Sequence, residues 1–246
     1  MSATGASSDE GTRLIDEVLA GHGVMARGAE TVAASFTRLA AGAAVETRAL
    51  VLTARWLIEV GHHHVRREAS LWPLLRESPH RAVARLDLLS EEHGTLVEEL
   101  DALTRAVGEI AKEREAGGSL SWGLAMKQGT RASHRILGLL GGHLAAEEAV
   151  LRTLFPAVPE TDTARLREAV ADGVPLSGPH LVLGFLEHPE PLPGRDRISV
   201  RFPPWVRWAR APLTRSFRRT LRALGVHGCE RGPARGRRAW GGAAVQ

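Results

Sequence analysis

Residues 50–71 read LVLTARWLIEVGHHHVRREASL. Leu50, Ala54, Leu57, Gly61, His64, Glu68 and Leu71 recur in steps of three and four, the spacing that places side chains along one stripe of an α-helix. The stripe is apolar at both ends and carries a histidine and a glutamate between them. A carboxylate inside an apolar stripe is costly unless it is paired or bound to a metal. This one stretch therefore predicts a core helix whose buried face carries chemistry.

Three more stripes of the same kind surround it. Ile15, Val18, His22, Met25, Ala29, Val32, Phe36 and Leu39 form the first. The third follows Ser78-Pro79 and runs Leu86, Leu89, His93, Leu96, Leu100, Leu103, Val107 and Ile110. Gly117-Gly118-Ser119 breaks the chain, and the fourth reads Ile136, Leu140, His143, Glu147, Val150 and Leu154, stopping before Pro156. Residues 50–71 are the second, expected to close at Pro73. Long helices with short connections imply antiparallel neighbours, so the expectation is an all-α fold with an up-down-up-down four-helix bundle over residues 9–157.

Around that core, the small polar residues 1–8 predict a disordered N-terminus. Residues 158–194 predict a short helix from Thr161-Asp162 to about Ala171, then a Gly/Pro-rich linker. Residues 195–246 form an arginine-rich extension, with a basic amphipathic helix near 213–224 that aligns Leu213, Phe217, Leu221 and Leu224.

The chain has 246 residues, 43% apolar and 24% charged, an ordinary globular balance able to bury a sizeable core. Aromatics are 4% and tyrosine is absent, which argues against a β-sandwich and excludes a tyrosyl radical. A single cysteine, Cys229, excludes a disulfide framework and a thiolate zinc cluster. No charge-free apolar run is long enough to span a bilayer and the N-terminus has no secretory pattern, so the expectation is a cytoplasmic protein without a transmembrane segment. The net charge of +4 hides an asymmetry. From residue 195 onward 13 arginines face Asp196 and Glu230, giving +11, so the first 194 residues carry 4 − 11 = −7. The basic segment either docks on the acidic domain or meets nucleic acid, an anionic membrane surface or an acidic partner protein.

Each stripe carries one histidine: His22, His64, His93 and His143. Glu68 and Glu147 follow two of them at i+4, one helical turn along the same face. With the first turn near residue 41, His22 and His64 lie about 20 and about 23 residues from it. With the third turn near residue 118, His93 and His143 each lie about 25 residues away. At about 1.5 Å per residue the four histidines converge at one depth. Imidazole and carboxylate without thiolate suit iron, manganese or zinc. Four histidines and two carboxylates exceed the four ligands of a structural zinc and satisfy two ions bridged by Glu68 and Glu147. Iron is favoured over manganese or zinc, with open positions for a small ligand.

GHHHVRREASLWPLL (61–75), EEHGTLVEEL (91–100) and HLAAEEAVLRTL (143–154) together resemble the hemerythrin, or HHE cation-binding, family over about residues 10–157. Its pattern is a lone histidine on the first helix, HxxxE on the second, histidine on the third and HxxxE on the fourth. The resemblance implies a non-haem di-iron centre with His22, His64, His93 and His143 as terminal ligands and Glu68 and Glu147 as bridges. It implies binding of O2, NO or peroxide, or sensing of iron or redox state. Oxygen carriers of the family have a second histidine where this chain has Val97, and many members have an acid where it has Arg67. They also have HxxxxD on the last helix, so Glu148 competes with Glu147 for the bridge. The missing histidine at Val97 leaves an open position and shifts the expectation from oxygen carriage towards sensing, NO or peroxide chemistry, or iron handling. Two alternatives stand beside it: a di-iron enzyme consuming peroxide or NO, and a partner- or nucleic-acid-binding protein acting through its basic tail over a structural metal.

The remaining histidines fall off the stripes. His62 and His63 flank His64 by about 100° each and are expected near the surface, with His62 a candidate hydrogen-bond partner of the centre. His134 is expected exposed, and His80, His180, His188 and His227 in loops or the tail. Gly61 and Ala146 leave room either for a metal or for close helix packing. A ferritin-like centre needs two inward-facing ExxH motifs, and Glu59-x-x-His62 lies off the ligand stripe.

Overall fold

The computed structural model describes residues 3–78, 80–112, 119–171 and 177–226. The expectations for His227 and Cys229 fall outside the described residues. Among the described residues the chain is helical throughout, with no strand. Four long helices carry the stripes: α1 (Ala3–Ala40), α2 (Thr47–Arg76), α3 (Arg85–Lys112) and α4 (Leu120–Leu154). α1 packs on α2 and on α4, and α3 does the same. No helix among the described residues is long and apolar enough to cross a membrane.

Apart from the half-buried Leu39, the stripe residues are buried. They form two apolar clusters rather than one. Met25, Leu57, Leu96 and Leu140 belong to the larger, Ile15, Leu71, Leu89 and Val150 to the smaller. On every one of the four helices the histidine falls between residues of the two clusters. A polar layer therefore crosses the interior with an apolar plug on each side.

Two helix ends differ from the sequence reading. α1 begins at Ala3, where disorder is expected over residues 1–8. Ala3, Ala6 and the serines extend a helix already nucleated downstream, and each added residue needs only propagation. α2 continues past Pro73 to Arg76. A proline in the last turn removes one backbone donor, while Leu71, Trp72 and Leu75 gain burial in the smaller cluster.

After α4, a 3-10 turn at Phe155–Ala157 and helix α5 (Thr163–Ala171) lay Phe155, Leu166 and Val170 over the smaller cluster. The span read as a linker contains helix α6 (Pro179–Glu187), whose Leu181, Val182, Phe185 and Leu186 join the larger cluster. Pro179 sits in its first turn, where a missing N–H costs nothing. Arg27 on α1 donates to the carbonyls of Phe185 (2.7 Å), His188 (2.8 Å) and Glu190 (2.8 Å), tying down the acceptors at the end of α6.

The basic segment forms α7 (Arg195–Arg201), α8 (Pro204–Trp208) and α9 (Arg210–Ala223). α9 spans the expected amphipathic helix and packs on α6, with Phe217 and Leu224 buried and Leu213 and Leu221 half-buried. Gly184 makes this possible, because the Phe217 ring occupies the space a side chain at 184 would need. Arg201 pairs with the buried Glu17 on α1, and Arg210 with Glu187 at 2.6 Å. Residues 195–226 are thus part of the folded body, with arginines directed at its acids.

Candidate metal centre

The polar layer holds all six residues expected from the stripes. His22 comes from α1, His64 and Glu68 from α2, His93 from α3, and His143 and Glu147 from α4, and every one is buried. Glu68 and Glu147 are 0% exposed. The stretch from His22 to the end of α1 at Ala40 nearly matches the stretch from the start of α2 at Thr47 to His64, which sets the two histidines level. Likewise, Glu68 stands as far from the end of α2 at Arg76 as His93 does from the start of α3 at Arg85.

The donor atoms converge. His93 Nε2 stands 2.6 Å from Glu68 Oε2 and 2.9 Å from His143 Nε2. His64 Nε2 is 3.1 Å from Glu68 Oε1 and 3.6 Å from Glu147 Oε2. Glu147 Oε2 also lies 3.4 Å from His22 Nε2 and 3.8 Å from His143 Nε2. Two overlapping quartets have ligand atoms mutually within 4.8 Å: His64, Glu68, His93 and His143, and His22, His64, Glu68 and Glu147. Either could hold a metal ion.

The polar atoms fit that use. His64 Nε2, Glu68 Oε2 and Glu147 Oε2 are buried without an aligned hydrogen-bond partner, although other donor atoms stand beside them. Inward-facing atoms left without an aligned partner, at the cost of burial, point at a shared centre. Borderline nitrogen and hard oxygen donors without sulfur suit iron, manganese or zinc.

The outer nitrogens of two histidines are held by carboxylates. His143 Nδ1 bonds Glu92 Oε2 at 2.7 Å, and His22 Nδ1 bonds Glu148 Oε1 at 3.3 Å. A carboxylate on one ring nitrogen fixes the proton there and turns the other nitrogen's lone pair inward. This separates Glu147 from Glu148: Glu147 lies in the layer, and Glu148, half-buried, braces His22 from outside. Trp72 stacks on His93 with ring centroids 6.2 Å apart and planes at 12°.

Electrostatics follow from this crowding. Burial and the neighbouring His143 push His93 down to about 4. Burial, helped by Arg67 and the other histidines, holds His64 well below the ordinary imidazole range. Burial and the Glu147 charge raise Glu68 well above the usual carboxylate range. Burial would raise Glu147 too, but His22 and His64 outweigh it and bring Glu147 well down. Burial disfavours the His22 cation, and Glu147 and Glu148 more than offset that, so His22 is raised. Neutral His93 offers a lone pair at neutral pH, the form a metal needs, whereas the Arg67 guanidinium takes up that of His64 at Nδ1.

Two contributors are missing from the sequence reading. Glu92 stands beside His93 in the chain but serves His143 on the next helix, a cross-helix bond that no spacing reports. Arg67 is buried in the layer, with Nη2 touching His22, His64, Glu68 and Glu147. Its signal is in the sequence: Arg67 follows His64 by three residues, on the same helix face. Other side chains fall away. His62 lies 3.6 Å from Asp101 at the surface, and exposed His134 bonds Thr37 Oγ1 at 2.7 Å. His80 caps a 3-10 turn, while His180 and His188 belong to the start and end of α6. Gly61 serves packing, since a Cβ there would meet Leu100 Cδ1 at 2.8 Å, and Ala146 is exposed.

Comparison with known proteins finds no matching family model, no matching curated protein and no matching solved structure.

Proposed function

We propose that α1–α4 form an up-down-up-down four-helix bundle of hemerythrin-like type, and that its polar layer is a non-haem iron centre that binds a small oxidant or gas. The observation that carries this reading is one histidine per helix at one depth, with two fully buried carboxylates among them, each with an Oε2 that lacks an aligned hydrogen-bond partner. A structural zinc needs four ligands and no more. The motif set implies two irons, which these six residues would hold between them; the guanidinium of Arg67, bonded to both glutamates, argues against the second.

Iron bound here would supply exchangeable coordination positions and a change of oxidation state. The protein's part is to hold and shield. His93 and His143 turn their Nε2 atoms inward, and Glu92 keeps the proton of His143 on its outer nitrogen. The apolar clusters above and below keep bulk water out, which suits a small uncharged ligand such as dioxygen or NO. A reducing compartment, the cytoplasm, suits a ferrous resting state.

The test is to load the full chain with iron anaerobically and add O2, NO or peroxide in turn while recording optical and EPR spectra. A stoichiometric spectral change, lost in Glu68→Ala, is the expected result and marks binding or sensing. Continuous consumption of peroxide or NO, lost in His64→Ala, would make the protein an enzyme. No spectral response to any of the three would reject the proposal.

A further inference from the structure

One of the two donor quartets already contains a cation. Arg67 Nη2 lies 3.1 Å from Glu68 Oε1, 3.2 Å from His64 Nδ1, 3.3 Å from His22 Nε2 and 3.5 Å from Glu147 Oε1. These four residues are the second quartet, complete. His93 and His143, the two residues found in the first quartet alone, instead face each other and Glu68.

We propose that Arg67 takes the place of a second metal ion, so that this centre binds one ion, on the side of the layer where His93, His143 and Glu68 Oε2 meet. The proposal rests on the metal-centre reading above and narrows it. Three physical points support it. Metal–ligand bonds to imidazole and carboxylate are about 2.0–2.2 Å, so an ion within the second quartet would sit inside the contact distance of Nη2. Guanidinium remains protonated and has no lone pair to give, so Arg67 cannot become a ligand. Finally, two carboxylates, one guanidinium and one dipositive ion sum to +1, and a second such ion makes +3 in a layer sealed by apolar residues.

Arg67 is buried, and its bonds in the layer run through Nη2. The substitution has a chemical consequence. A single ferrous ion gives up one electron where a pair gives two, so the centre fits ligand binding and one-electron redox sensing better than two-electron reduction of dioxygen.

The experiment is an anaerobic titration of metal-free full-length protein with ferrous iron, repeated with redox-inert zinc, with bound metal counted after desalting. Wild type should saturate at one ion per chain and Arg67→Ala at two. After air oxidation, wild-type iron should appear in full as an uncoupled high-spin ferric EPR signal, a readout that needs no variant to fold. Two ions in wild type, with iron silenced by magnetic coupling, would overturn the substitution and leave the metal centre standing. One ion in both wild type and folded Arg67→Ala would show that Arg67 is not what excludes the second. No bound ion would overturn this inference and the metal reading together.

Discussion

Glu92→Ala should weaken metal binding without weakening the apo fold. Glu92 accepts from His143 Nδ1 at 2.7 Å and is the acceptor that turns His143 Nε2 towards His93 and Glu68. Removing such an outer-shell carboxylate typically costs 10–100-fold in metal affinity. The Glu92 side chain is 50% exposed, so water can replace it on Nδ1 and the loss belongs at the lower end, about tenfold or ~1.4 kcal/mol. Glu148→Ala gives the contrast. Its bond to His22 is longer, 3.3 Å, and His22 belongs to the quartet Arg67 fills, so its effect should stay within about threefold. The assay is competition for zinc or ferrous iron against a chromophoric chelator, with urea unfolding of the apo forms in parallel. Apo stability should move by no more than about 0.5 kcal/mol, as for surface substitutions generally. An unchanged dissociation constant in Glu92→Ala would refute the argument that His143 is a ligand oriented from outside. An equal loss in Glu148→Ala would refute the assignment of the ion to the first quartet.

Three further outcomes are expected. Stripping metal by chelation should lower the unfolding free energy, by about 2.7 kcal/mol at a free metal concentration 100 times the dissociation constant, read by calorimetry with and without added metal. Gly184→Ala would drive a Cβ into the Phe217 ring, so α9 must back away from α6; a loss of about 1–3 kcal/mol in urea unfolding is expected, and an unmoved midpoint would mean that α9 does not seat there. Arg201→Ala should cost about 1.5 kcal/mol near neutral pH by stranding Glu17, whose carboxyl burial already raises despite Arg201. Without the arginine that folded-state value climbs further, so the folded variant binds its proton more readily than the unfolded chain. The deficit should therefore be largest above the raised range and shrink as pH falls through it; a deficit constant from pH 8 to pH 4 would contradict the pairing.

The helices and the six candidate ligands were legible because both depend on a single periodicity. A three-four stripe identifies the buried face, and a histidine or glutamate inside that stripe has to be buried with it. The choice between Glu147 and Glu148 followed the same rule: the stripe favours Glu147, and Glu148 turns out to brace His22. Where the period was absent, the reading failed. In α6, Leu181 to Leu186 are buried in succession, so no polar face alternates, and Pro179 and Gly184 read as turn residues although one starts the helix and the other admits Phe217. Arg67 lay on the stripe's own face, but arginine is assigned to solvent by default, and its role depends on donors from α1 and α4. Glu92 depends on a neighbour 51 positions away.

Whether a metal occupies this layer is decided by anomalous diffraction at the iron edge, from crystals of the full chain loaded with ferrous iron. One anomalous peak is expected, bounded by Nε2 of His93 and His143 and the carboxylate of Glu68, with the Arg67 guanidinium still lodged against Glu147. Iron-loaded crystals with no peak among these residues would contradict the metal reading.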